Sequence, residues 1–225
     1  MSEFVNATRS LTSVLAPIEK RTLVWLAERM PRAINSDHLT ALALVAMAAA
    51  GAFYALARVW PPALMLVNVM LIINWFGDSL DGTLARVRNR QRPRYGFYVD
   101  HIVDCIGAAL LLVGLGVSGY MHLEVALALL IAYLLVSAEV YLATYTRHTF
   151  TISYFKLGPT ELRILLALAN VAVLLRPTVT VLGHQALLFD LAGLAGAVGL
   201  VVVLLSSVTA NTRALYREER LPEAE

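Results

Sequence analysis

The stretch "GDSLDGTLARVRNRQRPRYGFYVDHIVD", from Gly77 to Asp104, decides how this chain is interpreted. It is flanked by apolar segments, yet it carries four aspartates in two pairs, three and four residues apart, with an arginine at every second position from 86 to 94. A spacing of three or four residues places both acids of a pair on one face of a helix. The stretch therefore predicts two helices joined by a basic hairpin, with an acidic stripe on each.

The rest of the chain is apolar enough for lipid to be its solvent. Of its 225 residues, 59% are hydrophobic, with a mean hydropathy of +0.69, whereas soluble domains have about 45–50% apolar residues. Apolar stretches of about 18 or more residues predict membrane-spanning helices. We predict an all-α integral membrane protein with six transmembrane helices. They lie at about 38–58, 62–86, 96–117, 121–146, 159–176 and 188–212.

The segment before the first span, "LTSVLAPIEKRTLVWLAERM", sets apolar residues loosely at helical spacing with charges between them. It predicts an amphipathic helix that either lies in the membrane interface or packs on the cytoplasmic end of the bundle. We therefore expect three parts in the chain. These are an N-terminal cytoplasmic or interfacial helix (1–36), a six-helix membrane domain (37–213) and a cytoplasmic tail (214–225).

Basic residues predict the orientation of the chain in the membrane. Of the 18 Lys and Arg residues, all but Arg58 and Arg176 lie in the N-terminal segment, the second connection, the surroundings of the fourth connection or the tail. Under the positive-inside rule these regions face the cytoplasm. We expect a multi-pass protein with both termini and the aspartate hairpin on the cytoplasmic side, in the cell inner membrane if the organism is prokaryotic.

The aspartates Asp78, Asp81, Asp100 and Asp104 need compensation within the membrane. Each carboxylate in a spanning helix costs about 2.5–3.5 kcal/mol, so four cost about 10 kcal/mol before their mutual repulsion is counted. Alternate arginines of a short loop cannot all point at one cavity. Carboxylate oxygens suit Mg²⁺ or Mn²⁺, and four carboxylates offer ligands for two such ions. Two-metal sites serve phosphoryl transfer, so the acids predict that chemistry.

Small residues beside the acids predict a bulky ligand. Gly82 and Ala85 leave room against the second span, and Gly96 does so across the cleft. Arg86 can bind a phosphate through two parallel hydrogen bonds. Asn74 lies on the same stripe and either touches the ligand or bonds within the bundle. The expected ligand carries a pyrophosphate and enters from the cytoplasm.

These residues resemble a known signature. The pattern Asp78-x2-Asp81-Gly82-x2-Ala85-Arg86, followed by Gly96-x3-Asp100-x3-Asp104, is similar to that of the CDP-alcohol phosphotransferase (phosphatidyltransferase) family. Its one departure is a connection between Arg86 and Gly96 that is one residue longer than the family pattern has. Six helices with a cytoplasmic interfacial segment also match the family's core, so the resemblance extends over most of the chain.

The resemblance implies a reaction and roles for the residues. Two divalent cations, Mg²⁺ or Mn²⁺, are implied on the four aspartates, with Asp100 and Asp104 catalytic and Asp104 the base that deprotonates an acceptor hydroxyl. That hydroxyl attacks the β-phosphorus of a CDP-linked donor, and CMP leaves. A homodimer is also implied. The residues implied in the CDP pocket are Gly82, Ala85, Arg86 and Gly96, with Asn74 as a further candidate.

Four charged residues are candidates for binding the acceptor: Glu139, Arg147, Glu161 and Arg163. Glu139 is either functional, as intramembrane acids often are, or a protonated side chain bonded to a neighbouring helix. Glu161 either contacts the acceptor or occupies the first turn of span five, where the helix dipole favours an acid. Arg147 and Arg163 bind either an anionic acceptor or lipid headgroups.

The leading hypothesis is a phospholipid-synthesising enzyme that passes the phosphatidyl group of CDP-diacylglycerol to a small polar alcohol. The alternative enzyme uses a soluble CDP-amino alcohol as donor and diacylglycerol as acceptor. It is favoured by "SYFKLGPTE", which faintly resembles a segment of choline and ethanolamine phosphotransferases. A cation-coupled transporter or channel is the alternative outside enzymes. Such sites usually lie near the bilayer midplane between repeats, whereas these acids cluster toward one face. We expect no nucleic-acid partner.

Overall fold

The structure is a computed structural model that describes residues 8–10, 16–147, 149–151, 158–181 and 183–219. Within these ranges the chain is mainly helical, which confirms the predicted all-α class. The helices are α1 (Ala16–Arg29), α2 (Ser36–Ala57), α3 (Ala63–Val87), α4 (Pro93–Val117), α5 (Leu123–Arg147), α6 (Pro159–Leu175) and α7 (Leu188–Glu218). The short strands are β1 (Thr8–Ser10), β2 (Thr149–Thr151), β3 (Thr178–Val181) and β4 (His184–Leu187). Strands β1 and β2 pair in parallel, and β3 and β4 form an antiparallel hairpin.

Five of the described helices, α2, α3, α4, α5 and α7, are long and apolar enough to cross a membrane, at 22 to 31 residues. The protein is therefore a multi-pass membrane protein. A helix is present in each of the six predicted spans, but α6 has only 17 residues, about 25 Å at 1.5 Å per residue. It stops at Leu175 because Pro177 disfavours helical geometry at Arg176, which is extended. Five of the six predicted spans therefore correspond to helices long enough to cross, and the predicted count of six is not exactly matched because α6 is shorter.

Helices α2, α3 and α4 form the tightest part of the bundle. A side chain at Gly114 of α4 would collide with the backbone of Gly51 on α2, and one at Gly77 of α3 with the backbone carbonyl of Leu39. Small residues at such positions let helix backbones approach closely. Their close approach sets α3 and α4, the two acidic helices, against a common neighbour.

Helix α1 packs on one end of this bundle. Its Leu23 and Ala27 are buried in a cluster with Leu80 and Leu84 of α3, while Ile18 is exposed. One face of α1 is thus packed on the bundle and its other face keeps exposed apolar side chains, which suits a helix at the membrane interface.

The predicted domain boundaries are not tested by the fold. Helix α7 continues to Glu218, through the expected start of the tail at 214. Residues 11–15 of the predicted amphipathic segment and 220–225 of the tail lie outside the described residues.

Candidate active site

Three of the four aspartates meet between α3 and α4. Asp78, Asp100 and Asp104 each place a carboxylate oxygen within 4.8 Å of the other two. Asp100 and Asp104 are one turn apart on α4, and the connection 88–92 returns the chain so that they face Asp78 of α3. Asn89, with φ of 53°, supplies the left-handed backbone of this turn, a conformation that asparagine tolerates better than most residues.

The fourth aspartate, Asp81, turns toward α2 instead. Its carboxylate accepts hydrogen bonds from the Thr40 hydroxyl, at 2.5 Å, and from the backbone N–H of Gly82, and its backbone carbonyl accepts one from Ser36, at 2.8 Å. A spacing of three residues leaves Asp78 and Asp81 about 60° apart around the helix, which is enough to direct them to different neighbours. Thr40 and Ser36 were not predicted, although hydroxyls one turn apart at the start of an apolar span are a usable signal.

Arg163 of α6 compensates part of the acidic charge. One guanidinium nitrogen, Nη2, donates to Asp78 at 2.5 Å, and Nε donates to the Asn74 side chain at 2.8 Å. Asn74 in turn donates to the backbone carbonyl of Ala43 at 3.1 Å, so it bonds within the bundle. The third nitrogen, Nη1, is buried without a hydrogen-bond partner in the described structure. Because one guanidinium faces three carboxylates, the group keeps a net negative charge beside the buried Nη1 donor of Arg163.

The halves of α3 and α4 nearer to the connection 88–92 carry four residues predicted for the nucleotide pocket: Gly82, Ala85, Arg86 and Gly96. Arg86 donates to the Thr83 hydroxyl at 3.0 Å and bends back over Gly82, where a side chain would meet its guanidinium at 3.5 Å. A side chain at Gly96 would meet nothing within 4 Å, so the space beside it is open.

A cavity of about 380 Å³ opens beside Ala85. Its polar lining comes from the start of α2 and the connection after α3, and it consists of Asn35, Ser36, Asp37, Arg88, Arg90, Gln91 and Arg92. Arg88 donates to the backbone carbonyls of Met30 and Ile34. Arg92 pairs with Asp37, and this hydrogen bond raises the pKa of its guanidinium above the ordinary value.

The four candidates for binding the acceptor make different contacts. Glu139 of α5 accepts a hydrogen bond from Asn211 of α7 at 2.6 Å, and Arg147 donates to the same asparagine at 2.6 Å. The Glu161 carboxylate accepts a hydrogen bond from the backbone N–H of Gly158 at 3.0 Å, and this bond caps the N-terminus of α6. Arg163 contacts the aspartate group directly. Asn211 was not predicted, because nothing in its local sequence indicates a partner 64 residues earlier.

The comparisons with known proteins place this site in a family. Comparison of the chain with individually curated proteins yields no match. The family model described as CDP-alcohol phosphatidyltransferase matches residues 34–208, which include all four aspartates and exclude α1. This range is well over half of the chain. The chain therefore belongs to the CDP-alcohol phosphatidyltransferase family, whose members transfer phosphate groups from CDP-linked alcohols.

Proposed function

We propose that this enzyme transfers the phosphatidyl group of CDP-diacylglycerol to a small polar alcohol and releases CMP. The observation that carries the proposal is the group of three carboxylate oxygens within 4.8 Å, from two helices of the family-matched region. The match of residues 34–208 to the family favours this enzyme over a cation-coupled transporter.

The donor set suits divalent cations. Asp78, Asp100 and Asp104 supply hard oxygen ligands whose charge Arg163 only partly neutralises, as Mg²⁺ or Mn²⁺ requires. Asp81 completes the four acids that we propose to hold two such ions, and its present partner, Thr40, is an uncharged hydroxyl. When bound, the cations supply electrostatic stabilisation to the attacking and leaving oxygens of the transfer.

The chain's own residues perform the remaining steps. Asp104, which is exposed, takes the proton of the acceptor hydroxyl as general base. The hydroxyl oxygen forms a bond to the β-phosphorus of the donor, and the bond from that phosphorus to the oxygen bridging to CMP breaks. Asp100, one turn away, helps to hold the reacting groups. CMP leaves with the electron pair of the broken bond.

The cavity beside Ala85 is suited to the nucleoside part of the donor. Its size of about 380 Å³ is within the usual range for a small-ligand pocket. Arg90 and Gln91 supply donors in its lining. We propose that Arg86, whose guanidinium lies over Gly82, binds the diphosphate. The open space at Gly96 leaves room for the diphosphate across the cleft.

A second enzyme reaction is favoured by the sequence that leads into α6 rather than by the geometry of the site. Gly158 and Glu161 of the "GPTE" segment cap α6, and this cap sets the start of the helix that carries Arg163. The segment resembles one in choline and ethanolamine phosphotransferases, so diacylglycerol is the alternative acceptor and a soluble CDP-amino alcohol the alternative donor. In either reaction we propose a homodimer whose active site and termini face the cytoplasm.

One assay tests the proposal. Purified protein in lipid nanodiscs is incubated with Mg²⁺ or Mn²⁺, either CDP-diacylglycerol or CDP-ethanolamine, and a panel of alcohols or diacylglycerol, and CMP is measured. We expect CMP release with CDP-diacylglycerol and one small alcohol, and none when a chelator is present. Release with CDP-ethanolamine and diacylglycerol alone would select the second reaction. Cation flux in vesicles without CMP release would contradict both.

A further inference from the structure

Glu19 of α1 joins three parts of the molecule. Its Oε1 accepts hydrogen bonds from the Trp75 indole at 2.7 Å and the Ser79 hydroxyl at 3.3 Å, both on α3, and from the Thr160 hydroxyl on α6 at 2.6 Å. These partners are 56, 60 and 141 residues away in the chain. A single carboxylate oxygen thus connects α1, α3 and α6.

The partners of Glu19 are close in the chain to Arg163 and to the two residues that Arg163 bonds. Trp75 follows Asn74, and Ser79 follows Asp78. Thr160 is three residues, or about one helical turn, before Arg163 on α6. Arg163 bonds both Asn74 and Asp78, so the α3–α6 interface is held at two levels, by Arg163 beside the acids and by Glu19 on α1.

The position of Glu19 is itself well supported. Leu23 and Ala27, one and two turns further along α1, are buried against Leu80 and Leu84. Arg88 holds the connection after α1 through the carbonyls of Met30 and Ile34. Hydrogen bonds to an ionised carboxylate are stronger than those between neutral groups. Because these contacts fix the position of α1, Glu19 can hold α3 and α6 in place relative to each other.

We propose that Glu19 is a positioning residue, which fixes α6 against α3 so that Arg163 reaches Asp78 and Asn74 and the three carboxylates are held in place. It lies before the family-matched range, which begins at residue 34, so this support comes from a part of the chain that the family model does not cover. The kinetic test of this role relies on the proposed function, whereas its metal-binding test does not.

The first test is kinetic. Glu19→Ala and, as an independent variant that leaves α1 intact, Thr160→Val are compared with Glu28→Ala, which removes an exposed glutamate of the same helix. We expect kcat for CMP release to fall about 10- to 100-fold in the first two variants, as small misplacements of reacting groups do. We expect the donor KM to stay within about twofold, because the pocket beside Ala85 is untouched. Glu28→Ala should match the wild type.

A double-mutant cycle tests the route of the effect. If Glu19 acts through Thr160, the combined variant should lose little more kcat than either single variant, since interacting residues are non-additive. Fully multiplicative losses, or a kcat within about twofold of wild type in both single variants, would overturn the proposal.

The second test uses Mn²⁺ alone, measured by electron paramagnetic resonance of the free ion with purified protein. We expect Glu19→Ala and Thr160→Val to weaken Mn²⁺ affinity several-fold and Glu28→Ala to leave it unchanged. Wild-type protein that binds Mn²⁺ but releases no CMP would contradict the proposed function and leave this inference standing. Unchanged Mn²⁺ affinity in both variants would contradict the inference.

Discussion

Asp104 is the side chain on which the proposed chemistry depends most directly. Asp104→Asn keeps the size of the side chain but removes its basicity, so we expect CMP release to fall by about 10²- to 10⁴-fold, the usual contribution of a general base. The protein should still fold, because Asp104 is exposed. The measurement is single-turnover CMP release, with gel filtration as the folding check. Asp190→Asn, the same chemical change on α7, is the control and should retain activity. Activity of Asp104→Asn within tenfold of wild type would exclude Asp104 as the base.

Arg163 is expected to act through the shape of its guanidinium as well as its charge. It bonds Asp78 and Asn74 through two different nitrogens, which a lysine cannot reproduce. We expect Arg163→Lys to lower kcat about tenfold, and Arg163→Gln to lower it further because Asp78 then loses its charged partner. Steady-state kinetics with the CDP-linked donor measure both. Equal activity of the lysine variant and the wild type would show that charge alone is sufficient.

At the residue scale, the sequence predicted what helical spacing determines and missed what depends on helix packing. The proximity of Asp78, Asp100 and Asp104 follows from turns of three to four residues on two helices joined by a short connection. The bond between Arg163 and Asp78 spans 85 residues, and no local pattern indicates it. Thr40, which binds Asp81, was also missed, although its spacing of one turn from Ser36 at the start of α2 is a usable signal. The functional roles assigned to all these residues stay predictions.

At the element scale, the contact of α2 with α4 is the clearest test of packing. A side chain at Gly114 would collide with the backbone of Gly51, whereas one at Gly199 of α7 would meet nothing within 4 Å. We expect Gly114→Ala to destabilise the protein by about 1–3 kcal/mol, the usual effect of overpacking. Gly199→Ala should be neutral or slightly stabilising, because alanine favours helix. Thermal unfolding in detergent compares the two. Equal melting temperatures would show that α2 and α4 are further apart than described.

The helices themselves were predictable because apolar length alone reveals them. The predicted spans at 62–86 and 121–146 differ from α3 and α5 by one or two residues at each end. The β3–β4 hairpin was not predicted, since the connection "RPTVTVLGHQ" is short and mixed in composition. The sequence also left two placements open for α1. The structure packs one face of α1 on the bundle, and the exposed apolar side chains of its other face suit an interfacial position.

At the scale of the whole molecule, the starts of α5 and α7 are joined by a titratable pair. The His122 ring nitrogen lies 2.5 Å from the Asp190 carboxylate. This hydrogen bond, followed by the charge of Asp190, raises the pKa of His122 above its ordinary value, which is about 6.5 in an unfolded chain. The contribution of this pair to the stability of the folded protein is fully present below pH about 6.5 and is lost as the pH rises through the pKa of His122 in the folded state.

We therefore expect the melting temperature to decrease between about pH 6 and pH 8 in the wild type, and to decrease less in His122→Gln. The effect should be small, because the His122 side chain is exposed and solvent screens such pairs. His184→Gln, which changes an exposed histidine of β4, is the control. A pH profile that is identical in the wild type and His122→Gln would mean that this pair contributes nothing to stability.

The number of crossings decides which side of the membrane each terminus faces. If the five long helices cross and α6 does not, the start of α2 and the end of α7 lie on opposite sides. If α6 also crosses, they lie on the same side. At about 25 Å, α6 is shorter than a typical hydrocarbon core of about 30 Å, but local thinning accommodates such a mismatch. The arginines at 213 and 217 near the end of α7 favour the cytoplasm under the positive-inside rule, and therefore favour a crossing by α6.

Single cysteines distinguish the two topologies. In a Cys105→Ala background, Arg90→Cys marks the connection after α3, Glu218→Cys marks the end of α7 and Gln185→Cys marks the β3–β4 hairpin. We expect a membrane-impermeant maleimide applied to intact cells to label Gln185→Cys alone, and to label the other two only after lysis. That result requires α6 to cross the membrane. Arg90 and Gln185 are separated by α4, α5 and α6, so they lie on opposite sides only if all three helices cross. Gln185 and Glu218 are separated by α7 alone. Labelling of Glu218→Cys but not Gln185→Cys in intact cells would mean that α6 stays on the cytoplasmic side and that five helices cross.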